Sequence, residues 1–355
     1  MDHYFRISNA DGKAWVLPAH NMRTALCLYQ PGGVKGKLLK ALLPLLWRFP
    51  LVRSLLSLAP CGRPCPQLDA TIRDAFGLEG DFEIAAFEGT PCAHQKTTLQ
   101  VFRGKKILGY VKLSDKPAVY RLFQHEQRIL DALHASGIDE VPRILALKEC
   151  PEGRWMLAQT TTKTLHSGTP HQWGPQMAQF IERLENATGV MAVFEQTEMA
   201  GDLRLASPGS SDAEISALLP ERYREVFVRS LQRFRGRVLA CCLTHNDFTP
   251  WNMYVQDGRL EVFDWEYASF CNPVGMDRCH FLVQSAFFEK RWTAEQVYER
   301  IIAPDGRHRD EYTLYLLSII ARYLRRDPSC ADSEEITRWG QLLEMLESHR
   351  RDTEK

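Results

Sequence analysis

The sequence has no excess charge of either sign: 44 Lys and Arg stand against 44 Asp and Glu. It has no polybasic tail either, so the electrostatic footprint that nucleic acid selects is missing and no nucleic-acid partner is expected. Ten cysteines are present, yet no two form C-x-x-C. That excludes the common zinc and redox motifs. The nearest suggestive pair, Cys61 and Cys65 in CGRPC, reads as scattered reduced thiols, which fits a reducing cytosol. No apolar run reaches the roughly 18 residues a membrane span needs. The polar start MDHYFRISNADGK is not a signal peptide. Also missing are G-x-G-x-x-G, the Walker A pattern, internal repeats and low-complexity tracts.

What is present is ordinary globular composition, 45% hydrophobic and 25% charged, over 355 residues. That length predicts two or three packed units. Residues 1–18 read as a hairpin, YFRIS and KAWVLP around a turn containing Asp11-Gly12. The segment 35–60, KGKLLKALLPLLWRFPLVRSLLSLAP, is leucine-rich, holds Lys35, Lys37, Lys40, Arg48 and Arg53, and has no acid. It reads either as a helix on a membrane surface or as a helix pair, broken near Pro44 and Pro50, covering its own domain. The second reading is preferred. The stretch 59–67, APCGRPCPQ, reads as a linker.

From about residue 81 the pattern turns to strands: FEIAAFEG, TTLQVFRG and ILGYVKLS. Ser114-Asp115-Lys116-Pro117 then opens a helix to about His134, with Val119, Leu122, Phe123, Leu130 and Leu133 on one face. VPRILALKE and RWMLAQ are two further strands. Beyond Thr162 helices are predicted over 171–187, 212–240, 277–300, 309–326 and 332–350, interrupted once, by 241–276.

The interruption carries the chemistry. Two short strands, 252–255 and 259–263, flank a turn containing Asp257-Gly258. A hairpin joins its outer ends, so His245, Asp247, Asn252 and Asp264 are predicted to fall in one small region. Phosphoryl transfer needs positioning and charge neutralisation more than covalent help. Asp247 suits a group that orients or deprotonates a hydroxyl, Asn252 and Asp264 are hard oxygen ligands for Mg²⁺, and His245 supports the loop. In the strand-rich part, Lys112 lies in the third strand. Glu126 lies on the apolar stripe of the helix, where a buried charge needs a partner. Lys112 is the obvious one; a plain interlobe or surface salt bridge is the other reading, and Lys105 and Lys106 compete from the preceding turn.

His245-x-Asp247-x-x-x-x-Asn252, followed twelve residues on by Asp264-Trp265-Glu266, resembles the aminoglycoside phosphotransferase and choline kinase group of the protein-kinase-like superfamily. The resemblance covers about residues 80–300. It implies an α+β two-lobed fold: a small five-stranded antiparallel lobe with one helix, and a larger, mainly helical lobe. It also implies Asp247 as catalytic base, Asn252 and Asp264 as Mg²⁺ ligands, the Lys112–Glu126 pair on the phosphates of ATP or GTP, and Gln159–Thr162, with Thr161, at the nucleobase. The family usually has glycine where this chain has Asn246, the non-glycine residue that best tolerates a left-handed backbone. The phosphate-covering loop, EGTPCAHQK, has a single glycine, with backbone amides near Thr90 to approach a phosphate, and Asp277 fits a structural aspartate.

The predicted organisation is an N-terminal extension over 1–65, a nucleotide-binding lobe over 66–160 and a helical catalytic and acceptor-binding lobe over 161–355. The expected activity is transfer of a γ-phosphate to a small-molecule hydroxyl, a sugar or a glycan- or lipid-linked acceptor. A regulated protein kinase is disfavoured because no Phe-Gly follows Asp264 and no A-P-E segment ends an activation loop. Two other readings stand beside it: a catalytically silent nucleotide- or partner-binding relative, and a membrane-proximal scaffold. The expected location is the cytoplasm, with 35–60 as the segment for any peripheral contact with the inner face of the membrane.

Overall fold

The structure, a computed structural model, describes residues 4–9, 12–29, 34–55, 58–89, 92, 94–203 and 214–353. Contacts divide the chain into two compact units, Met1–Pro170 with Trp251–Glu266, and His171–Pro250 with Tyr267–Lys355.

The first unit is built on an antiparallel sheet of β1 (Tyr4–Ser8), β2 (Ala14–Pro18), β3 (Ala59–Cys61), β4 (Glu83–Glu88), β5 (Thr97–Arg103), β6 (Lys106–Ser114), β7 (Ile144–Cys150) and β8 (Arg154–Thr160). Its order is β3-β1-β2-β4-β5-β6-β8-β7. The expected five-stranded sheet therefore has eight strands, and three come from the segment ahead of residue 65. The cause is the edge of β4, which a five-stranded sheet leaves unpaired; a lone hairpin is at best marginally stable and docks there. Ala14, Trp15 and Val16 pair with Glu88, Phe87 and Ala86, and Ala59–Cys61, read from sequence as linker, pairs with β1.

Alternation along the strands fixes two buried faces. Leu99, Val101, Val111 and Leu113 meet Leu68, just before the helix Asp69–Phe76, and Ile72 within it. The opposite face carries Phe5, Leu17, Ala85 and Phe102, covered by Met22, Leu26 and Leu43. The helix Pro117–Ala135 starts on its proline, buries Val119, Phe123, Glu126, Ile129, Leu130 and Leu133, and ends before the left-handed Gly137. The cap position is Lys116, whose N–H bonds the Ser114 hydroxyl at 3.2 Å.

The second unit is mainly helical. Pro175–Thr188, Arg309–Arg326 and Glu334–Thr353 lie close to their predicted spans. The segment 212–240 does not form one helix: a helix occupies Glu221–Gln232, Gly236 turns at φ +69°, and Val238–Thr244 is a strand. VLACCLT suits a strand better than a helix, and it pairs with Val190–Val193 and Ser269–Pro273. The segment 277–300 also breaks, at Arg291 with φ +58°, and restarts on a Thr293/Gln296 capping box. The start of the 212–240 span, Asp11 and Thr90 lie outside the described residues.

Candidate active site

In the first unit, pairing places Lys112 opposite Thr98 and Leu157, on the face toward Pro117–Ala135. Glu126 reaches the same face from the helix. The Lys112 Nζ donates to Glu126 Oε1 and Oε2 at 2.8 and 2.6 Å and to Asp264 Oδ1 at 2.6 Å. Glu126 is fully buried and also accepts from Gln159 Nε2 at 3.0 Å and from the Trp265 backbone N–H at 3.2 Å. Four donated bonds explain how a carboxylate survives there. Lys96 adds a second ammonium: its Nζ donates to Asp264 Oδ1 at 3.0 Å and bonds Glu266 as well.

Burial alone would raise the Asp264 carboxyl, but Lys112 and Lys96 overcome it and hold it well below the usual carboxylate range. Burial pushes Glu266 up; Lys96 opposes this and Asp264 adds to it. Burial would lower the two lysines, yet their carboxylate partners raise both. Among the described residues, Glu126, Asp264 and Glu266 form a group of carboxylates close enough to share a cation, with oxygens within 4.8 Å of one another.

The hairpin of Met253–Gln256 and Arg259–Val262 delivers Asn252 and Asp264 to the same side of the first unit. The Phe263 N–H donates to the Asn252 carbonyl at 3.0 Å, closing the hairpin base next to Asp264. Asp264 itself has φ +68°. A cavity of ≈ 990 Å³ in this unit is lined by Lys96, Lys112, Asn252 and Asp264, by Gln159–Lys163, and by Trp15, Leu26, Leu39 and Leu43 from the N-terminal segment. Gln159 lines the cavity, and its side chain donates to Glu126. The Thr161 and Thr162 hydroxyls each lie 3.0 Å from the Tyr254 hydroxyl, which also accepts from the Thr162 N–H at 3.2 Å. Lys163 donates to the Cys27 carbonyl at 3.1 Å and lies over the Tyr254 and Phe263 rings. Burial, with nearby Lys40, lowers its ammonium to about 8.

In the second unit, Asp277 holds the loop after Thr244 from below: its two oxygens accept from His245 N and Asn246 N at 2.7 and 2.8 Å. The buried His245 accepts the Asp247 N–H on Nδ1 at 3.2 Å and sits edge-on to Phe248. Asn246 has φ +63°. Its Nδ2 donates to the Tyr267 carbonyl and to Ser269 Oγ, and its Oδ1 accepts from Thr244 Oγ1 and Asn272 Nδ2. Asparagine is thus used twice here, for its tolerance of a left-handed backbone and for an amide that glycine lacks. His280 Nε2 lies 3.2 Å from Asp247 Oδ1, and burial, opposed by Asp247, lowers its pKa, so a neutral ring holds the carboxylate.

Sequence reasoning missed Lys96, Glu266, His280, Tyr254 and Lys163. Lys96 and Lys163 had no signal beyond a place at a strand edge. Glu266 and His280 stand within reach of Asp264 and Asp277 in the sequence, and their acid or imidazole chemistry was the available clue.

A sequence profile of the phosphotransferase enzyme family, APH, matches residues 90–312. No curated protein sequence matches significantly. Among solved structures, a thermostable mutant of the aminoglycoside phosphotransferase APH(4)-Ia, in ternary complex with AMP-PNP and hygromycin B, aligns at TM-score 0.50 and 15% identity over 79% of this chain and 98% of its own. The GDP and kanamycin complex of APH(2")-IIia aligns at 0.49 and 14% over 79% and 99%. A putative fructosamine-3-kinase from Haemophilus somnus 129PT aligns at 0.43 and 13% over 79% and 96%. The profile covers well over half of the chain, and the first of these structures shares its fold: the chain belongs to the phosphotransferase enzyme family and has its α+β, protein-kinase-like two-lobed fold.

Proposed function

We propose that this phosphotransferase moves the γ-phosphate of ATP or GTP to a hydroxyl of a small molecule, a sugar or a glycan- or lipid-linked acceptor. The observation that carries the reading is Lys112, bonded at once to Glu126 and Asp264 on the wall of a cavity that Asn252 also lines. Lys112 and Lys96 supply positive charge for the nucleotide phosphates, Glu126 fixes Lys112, and the backbone of Gln159, Thr161 and Thr162 holds the base. Asp247, oriented by His280 and by the loop that His245 and Asp277 support, takes the acceptor proton as general base. Four residues of chain separate it from Asn252.

The donor chemistry suits Mg²⁺. The Asn252 amide and the Asp264 carboxylate are hard oxygens, and both ammonium groups address Oδ1 of Asp264, leaving Oδ2 for a cation. Bound there, the metal would neutralise charge on the transferring phosphoryl group. A peripheral membrane contact through 35–60 belongs to the same reading, supported by the exposure of Leu38, Leu45 and Leu51.

The test is turnover of ATP and GTP with Mg²⁺ across a panel of hydroxylated acceptors, in wild type, Asp247→Asn and Asp264→Asn. Each variant is expected to lose about 10²–10⁴-fold. Equal turnover in all three sinks the assignment. Nucleotide binding with no turnover on any acceptor favours a silent, nucleotide-binding protein.

A further inference from the structure

We propose that the outer face of the helix Val34–Leu46, continued by Phe49 and Leu51, docks onto an anionic lipid surface. This deepens the membrane-contact part of the reading above and is independent of phosphoryl transfer.

The helix has two apolar faces. Inward, Leu39, Leu43 and then Trp47 pack with Phe5, Leu17 and Leu58, and Leu39 and Leu43 also line the cavity. Outward, Leu38 is 58% exposed, Leu42 39%, Leu45 68% and Phe49 58%. Leu38, Leu42 and Leu45, spaced by four and three residues, make one stripe of the helix, and Phe49 follows in the bend after its end. Leu51, 85% exposed, prolongs it, whereas Leu55 lines the cavity with Leu39 and Leu43. Packing on the protein therefore leaves part of the helix's apolar surface exposed. A continuous exposed patch of this kind marks a surface that meets another apolar phase.

The charge around it names the phase. Lys37 and Arg48 are exposed beside the stripe, and 35–60 holds no acid in a chain whose net charge is zero. A lipid surface with negative headgroups meets both needs: the acyl boundary takes the leucines and the headgroups take the cations. A second copy does not, because a two-fold contact would set this basic face against itself.

The experiment is co-sedimentation of the full chain with phosphatidylcholine vesicles, with and without phosphatidylglycerol. Wild type is expected to sediment with the anionic vesicles, less so as salt rises, and to stay in solution with the neutral ones. The triple variant Leu38→Asn, Leu42→Asn, Leu45→Asn alters exposed side chains, keeps its circular dichroism, and is expected to partition at least about tenfold more weakly. Asp264→Asn is expected to sediment as wild type does, which separates this proposal from the kinase reading. Three results overturn the proposal: wild type remaining in solution with anionic vesicles, the triple variant binding as wild type does, or a wild-type dimer in sedimentation velocity that the triple variant dissolves.

Discussion

Removing the Glu126 carboxylate tests how the first unit is held together. Glu126 is fully buried and accepts from Lys112, Gln159 and the Trp265 backbone. Breaking a buried ion pair from one side costs about 3–5 kcal/mol, because the remaining charge stays in the interior. Lys112 keeps Asp264 at 2.6 Å, which argues for the lower end, about 3 kcal/mol. An orphaned donor on Gln159 or Trp265 adds about 1 kcal/mol. Glu126→Ala is therefore expected to lose about 4 kcal/mol, or roughly 8–16 °C in Tm for a unit of about 150–250 residues. Urea unfolding monitored by tryptophan fluorescence measures it. The pair Lys112→Met with Glu126→Leu removes both charges, and apolar replacement of a whole buried pair is nearly neutral or stabilising. The double variant is thus expected to be more stable than Glu126→Ala alone. If Glu126→Ala falls within about 1 kcal/mol of wild type, or the double variant is the less stable, the pair is not what fixes the helix to the sheet.

Asp264 is held below its free value by two lysines, so its stabilisation is complete above about pH 4 and is lost as pH falls from there toward the depressed folded value. The gap in urea midpoint between wild type and Asp264→Asn is expected to be constant above about pH 4 and to shrink steadily as pH falls below it; a gap unchanged down to acid pH contradicts the pairing. Asn246→Ala places an alanine at φ +63° and removes a buried amide network, an expected loss of about 2–4 kcal/mol in urea unfolding, while Asn246→Gly, free of strain, loses about half as much. Lys163 carries a lowered pKa of about 8, so its charged form costs stability at neutral pH. Lys163→Met is expected to raise the urea midpoint at pH 7, and that gain is expected to fade as pH rises through 8 toward about 10. A gain unchanged with pH refutes the burial argument.

Much of the first unit was legible because its signals are local. Strand alternation and the proline at the helix start gave β4 to β8 and Pro117–Ala135 within a few residues. Glu126 was found by contradiction, a charge on an apolar stripe, and the structure pairs it with Lys112. The broken helices were not legible. Helical periodicity continues across Gly236 and Arg291, and only the competing strand pairing and the Thr293/Gln296 capping box decide where the helices stop.

The sequence by itself determined the chemistry on offer: an Asp247 loop, hard oxygens at Asn252 and Asp264 tied by one hairpin, and a lysine and a glutamate that had to meet. Spacing suffices there, since a hairpin joins its own ends. Tertiary structure alone decided that the N-terminal hairpin completes an eight-stranded sheet, that Lys96 shares Asp264 with Lys112, and that His280 holds Asp247. It also decided that one basic helix buries Leu43 and exposes Leu45. Each of these depends on which distant segment covers an edge, a charge or a face, and no local pattern encodes that partner.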